Sequence, residues 1–177
     1  MEKIFAHFDI KADGTSPATS NMLSIGIVFT DINGKVIKDI TIDLLPREGY
    51  VGDTVSINWW LIDERRRENY LRILREGLEP SLAMQKFSDC LDEILQLSGT
   101  KNIIWVAYPL SYDLTFLQCY IDLYLDNVAI SNALCLDTIV KIWKKHKDIE
   151  KYFKKWTENI QPKNHSIDNA YYQASIF

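Results

Sequence analysis

Three short apolar runs open the chain, and the turn between the second and third does most to limit the fold. The runs are Ile4–Ile10, Met22–Phe29 and Val36–Leu44. The third alternates, with Ile40, Ile42 and Leu44 on one side, as a strand with one buried face does. Asp31-Ile32-Asn33-Gly34 lies between the second and third runs. Asn-Gly is a hairpin signal because both residues tolerate positive φ. An antiparallel meander is therefore expected.

Helical periodicity takes over downstream. Val55–Arg75 is a helical stretch with an expected break. Ser81–Leu97 places Leu82, Phe87, Leu91, Ile94 and Leu95 close to a 3.6-residue period, with Pro80 and Ser81 as start signals and Gly99 as a stop. Asn102–Ala107 is a short apolar run, expected as a buried strand. Further helices are expected over Tyr112–Leu125, Asp137–His146, Asp148–Trp156 and Asp168–Phe177. This order predicts an α/β domain whose mixed sheet, an antiparallel meander plus parallel strands, is flanked by helices.

No repeat, low-complexity tract or linker divides the chain, so residues 1–177 are read as a single domain. At 47% apolar, the chain can bury a core. A formal charge of −4 argues against a passive nucleic-acid coat but leaves room for a local binding face. Cys90, Cys119 and Cys135 lack metal-ligand spacing and are expected as buried reduced thiols. No apolar run approaches the ~18 residues of a membrane helix, and Met1–Lys11 does not read as a signal peptide. A soluble, cytoplasmic protein with no membrane partner is expected.

Four segments carry the chemistry. They are Phe8-Asp9-Ile10-Lys11-Ala12-Asp13-Gly14; Trp59-Trp60; the stretch from Val106 to Leu117 containing Tyr112-Asp113-Leu114-Thr115-Phe116; and Asn164-His165-Ser166-Ile167-Asp168-Asn169-Ala170-Tyr171-Tyr172-Gln173-Ala174. In this order they resemble the DEDDh branch of 3′–5′ exonucleases on the ribonuclease H-like fold, and most closely its small phage and bacterial members of the RNase AS type. The resemblance spans nearly the whole chain. It implies four carboxylates that hold two divalent ions on the scissile phosphate, and a histidine that deprotonates the attacking water.

Carried over residue by residue, the resemblance puts Asp9 at the first acid and Asp113 at the third, both as metal ligands. Lys11 stands where the second acid belongs, and an ammonium has three donors and no acceptor. In the last segment two frames are open. The unshifted frame puts Asn169 at the fourth acid and Asn164 at the general base. A one-residue shift makes His165 the base, with Asp168 one helical residue from the expected ligand position, about 100° around the axis. The unshifted frame removes about three negative charges from the site: two at Lys11 and one at Asn169. Residues 9 and 11 of a strand point to one face, so Lys11 is expected to replace a metal's charge and pair with Asp9 or Asp113.

The implied function is a degenerate exonuclease homologue, a pseudoenzyme that binds nucleic acid or a protein partner through the inherited cleft with little or no hydrolysis. The alternative is an active metal-dependent 3′–5′ exonuclease with an atypical site, using Asp9, Asp113, His165 and Asp168. Magnesium or manganese is its cofactor if it is active; otherwise none is required. The partner that the resemblance implies is a single-stranded 3′ end, and a homodimer is compatible with it. Trp59, Trp60, Tyr108 and Tyr112 are the expected substrate-binding aromatics, although core packing explains each equally simply. Lys141–Trp156 carries seven lysines against Asp148 and Glu150, a local charge of +5 (7 − 2), and reads as a phosphate-tracking face or a solvated helical one. Arg65-Arg66-Arg67 lies among acids and reads as salt-bridged helix surface.

Overall fold

The computed structural model describes residues 3–100, 102–143 and 165–176. Five strands are described: β1 (Ile4–Ala12), β2 (Met22–Thr30), β3 (Val36–Asp43), β4 (Ile103–Ala107) and β5 (Ala133–Cys135). They form one sheet in the order β3-β2-β1-β4-β5. β1 pairs antiparallel with β2, and β2 with β3, which makes the expected meander. β4 joins β1 in parallel and β5 joins β4 in parallel. The fold is the expected mixed-sheet α/β architecture of ribonuclease H-like exonucleases.

The β2–β3 turn uses a different device from the expected one. Of its residues only Gly34 has positive φ, at 76°. The Asp31 carboxylate instead accepts the Asn33 and Lys35 amides at 2.8 and 2.9 Å, an Asx-type turn. β5 was not expected; three residues are too few to show a period.

The helices are α1 (Thr54–Ile62), α2 (Glu64–Glu76), α3 (Pro80–Ser98), α4 (Leu110–Tyr124), α5 (Leu136–Trp143) and α6 (Ser166–Ile176). The break expected in Val55–Arg75 is Asp63, which is extended (φ −107°, ψ 134°) and both ends α1 and caps α2, accepting the Arg66 amide at 3.0 Å. The helix expected over Asp148–Trp156 lies outside the described residues, as does all but the start of the basic segment. Cys90 is buried as expected, but Cys119 and Cys135 are only half-buried. No described helix is long and apolar enough to cross a membrane.

β1 divides the molecule. Its even-numbered residues, Ile4, Ala6, Phe8 and Ile10, enter the main core with Met84, Phe87, Phe116 and Tyr120 of α3 and α4. Its odd-numbered residues face the other way. Phe5 packs with Leu136 and Val140 of α5, and Tyr172 of α6 joins them. His7, Asp9 and Lys11 follow on that second face, so the period of two that builds the core also delivers the polar residues to one place.

Candidate active site

Asp9 stands at the centre of that second face and is 6% exposed. Lys11 Nζ lies 2.5 Å from Asp9 Oδ2. The Asn169 amide nitrogen donates to Asp9 Oδ1 at 3.1 Å. Asp113, in the first turn of α4, accepts the backbone N–H of Ile10 at 2.9 Å through Oδ1. Its Oδ2 is buried with no hydrogen-bond partner among the described residues, as is Asn169 Oδ1.

The electrostatics follow from burial. Asp113 is held well above the usual carboxylate range, first by desolvation and then by the nearby Asp9 charge; the Ile10 amide and Lys11 oppose this. Asp9 is raised too, again mainly by burial, with Lys11 and Asn169 pulling it down. Behind them on β1, His7 is fully buried beside the Thr30 hydroxyl at 3.2 Å, and burial lowers its pKa to about 4.

α6 is fixed over the sheet by contacts that the chemical motifs do not include. Gly26, paired with Asp9 across β1–β2, has the α6 backbone directly over it. The Ser24 and Ser166 hydroxyls meet at 2.8 Å. Gln173 donates to the carbonyl of Phe8 at 3.0 Å. These three contacts set the rotation of α6, and with that rotation Asn169 is the side chain that reaches Asp9. Asp168 is half-buried in the first turn of α6, and His165 is exposed just before it. Asn164 lies outside the described residues.

The aromatic residues divide. Trp59 is 42% exposed and Trp60 is 0% exposed. Trp60 donates its ring N–H to the carbonyl of Ala12 at 3.0 Å and stacks on Tyr70 at 5.5 Å. A fully buried ring has no surface for a ligand, so the substrate-binding expectation for Trp60 is corrected: it is a core residue that ties α1 to the end of β1. Trp59, Lys11, Ser56 and Tyr112 line a groove of about 320 Å³. Tyr112 donates its hydroxyl to the carbonyl of Gly14 at 3.0 Å. Tyr108 is exposed and does not line that groove. In the Arg65–Arg67 cluster, Arg66 pairs with Asp63 at 3.8 Å and sits over the Trp59 ring, 4.4 Å from its centroid. Its position over Trp59 was not expected, because the sequence places it among acids.

This sheet order, with its helices on both faces, is that of the ribonuclease H-like fold of exonucleases. The chain belongs to the 3′–5′ exoribonuclease Rv2179c-like domain family, whose profile matches residues 6–177. No curated protein sequence matches it. Among solved structures it is similar to the zinc-bound complex of Escherichia coli exonuclease I with single-stranded DNA (TM-score 0.68, 11% identity), covering 99% of this chain and 40% of that one. The complex of the same enzyme with a dA16 oligonucleotide matches at TM-score 0.68 and 11% identity over 98% of this chain and 40% of that one. A further exonuclease I structure matches at TM-score 0.67 and 12% identity over 98% of this chain and 40% of that one. The chain thus spans about two fifths of the exonuclease I chains it matches. At these identities the likeness carries the fold alone.

Proposed function

We propose that this chain is a degenerate 3′–5′ exonuclease-like domain that holds a single-stranded 3′ end in its cleft with little or no hydrolysis. The observation that carries this reading is the state of Asp9, whose two oxygens accept from Lys11 at 2.5 Å and from Asn169 at 3.1 Å. A hard divalent ion needs oxygen ligands, and an ammonium offers none. A divalent ion bound at Asp9 would sit beside the Lys11 ammonium, 2.5 Å from Oδ2, and the two like charges would repel each other. A pair of metal ions therefore does not fit this donor set. Among the described residues there is no group of three or more His, Cys, Asp or Glu suited to a metal. Lys11 supplies a single positive charge beside Asp9 and lines the same groove as Trp59.

In this reading Asp9 and Asp113 are what remains of the metal site, and Lys11 and Asn169 are its replaced positions. Trp59 and Tyr112 form the wall that meets the terminal nucleotide. The exonuclease I complexes with single-stranded DNA lend the strand its class. The cytoplasm is the expected setting, since three free cysteines suit a reducing compartment. A homodimer remains the assembly to examine by sedimentation.

The test uses end-labelled single-stranded DNA and RNA with Mg²⁺, with Mn²⁺ and with EDTA. Binding that persists in EDTA, weakens with salt and leaves the label intact is expected. A digestion ladder that Asp9→Ala abolishes would overturn the degenerate reading. It would support the second one, an active enzyme with one Mg²⁺ or Mn²⁺ held by Asp9 and Asp113, His165 as base and Asp168 compensating. The partnerless Asp113 Oδ2 favours that alternative, because it keeps a lone pair available to a cation.

A further inference from the structure

Trp59 is held on two sides and open on a third. Trp60, itself anchored in the core, meets it edge-on, with ring centroids 5.2 Å apart at 80°. The Arg66 guanidinium covers one face at 4.4 Å. The Arg66 side chain is 17% exposed, and its Nε lies 3.8 Å from Asp63 Oδ1, within ion-pair range. Arg66 does not line the groove that Trp59 shares with Lys11, Ser56 and Tyr112. Trp59 thus presents to the groove a surface that Arg66 does not line.

We propose that Arg66 is a positioning residue that braces Trp59 as a one-faced stacking platform for the 3′-terminal base of a single-stranded nucleic acid. This rests on the nucleic-acid reading above. Tryptophan is the best ring for a cation–π pair and arginine its more frequent partner, and such a pair holds the ring plane without contacting the ligand. An indole that is already oriented loses less freedom when a base stacks on it. Stacking is indifferent to the identity of the base, so the platform reads the presence of a terminal base rather than its sequence.

Two measurements test it. The first needs no ligand: acrylamide quenching of indole emission in the full chain, with Trp59→Phe to assign the Trp59 share. Arg66→Ala is expected to raise the quenching of Trp59; unchanged quenching overturns the brace. The second is oligonucleotide anisotropy in EDTA with two ligands, one ending in a normal nucleotide and one in an abasic 3′ nucleotide. Arg66→Ala should weaken the normal ligand about three- to tenfold and leave the abasic one within about twofold. Arg66→Lys, which keeps the charge and loses the plane, should fall between. It also serves as the variant should Arg66→Ala not fold. Equal losses on both ligands would assign Arg66 a general charge role and overturn the proposal. If the unmodified chain binds neither ligand, the nucleic-acid reading itself fails, while the quenching result still decides whether Arg66 braces Trp59.

Discussion

Gly26 lies directly under the backbone of Ile167. A Cβ built on Gly26 would stand 2.2 Å from the Ile167 nitrogen and 2.4 Å from the Ser166 carbonyl carbon. Those atoms are main chain at the start of α6, so no side-chain rotation relieves the overlap. Gly26→Ala should therefore lift α6 off the sheet and break the Asn169–Asp9 contact. Overpacking of this kind costs about 1–3 kcal/mol, read as a lowered melting temperature. Oligonucleotide binding should fall in parallel. A variant that melts like the parent would show that α6 does not sit as described.

Lys11 invites two contrasting substitutions. Lys11→Met removes the cation and leaves Asp9 buried beside Asp113. Breaking a buried pair from one side costs about 3–5 kcal/mol, and chemical denaturation at neutral pH should register a loss in that range. Lys11→Glu combined with Asn169→Asp instead restores carboxylates. That double variant should be destabilised in EDTA and recover with millimolar Mn²⁺, because a ligand bound only to the folded state raises stability. The parent should show no comparable Mn²⁺ shift. A parent that gains as much as the variant would count against Lys11 as a substitute for the metal's charge.

His7 and Asp113 should pull stability in opposite directions with pH. Burial lowers the His7 pKa from 6.5 to about 4, so the unfolded chain takes up a proton that the folded chain refuses. Stability from His7 is then complete above 6.5 and lost as pH falls towards 4, by about 3 kcal/mol in all. Asp113 is raised, mainly by burial, so the folded chain keeps its proton longer. Its contribution is present at low pH and fades as pH rises from the ordinary carboxylate range through the raised value. Denaturation across that range with His7→Gln and with Asp113→Asn separates the two. His7→Gln should flatten the acid-side loss, and Asp113→Asn should flatten the decline at higher pH.

Trp59 and Trp60 should behave as unlike residues despite being neighbours. Trp60→Phe strands the Ala12 carbonyl and loosens a fully buried site, for about 1–3 kcal/mol of stability. Trp59→Ala removes a half-exposed ring and should change the melting temperature little. It should instead weaken single-strand binding by about 1–3 kcal/mol. The reverse pattern would remove Trp59 from the binding wall.

The meander could be read from the chain because its three runs are apolar, the third alternates, and turn residues separate them. The shared face of Asp9 and Lys11 needs only the period of a strand. Which tryptophan turns inward was not readable, because α1 is apolar on most sides and its pattern has no contrast. The Gly26 seat was not readable either. It depends on α6 crossing β2, and the neighbouring Ser24–Ser166 contact joins residues 142 apart in sequence. Nothing near a glycine in a strand announces which distant backbone will rest on it.

Asp63 is the whole connection between two helices, closing one and starting the next. A hinge of one amino acid has no slack. The groove wall carried by Trp59 and the guanidinium behind it can move only as a unit. Lengthening this corner by a single residue should separate them, making it the least forgiving place in the molecule for an insertion.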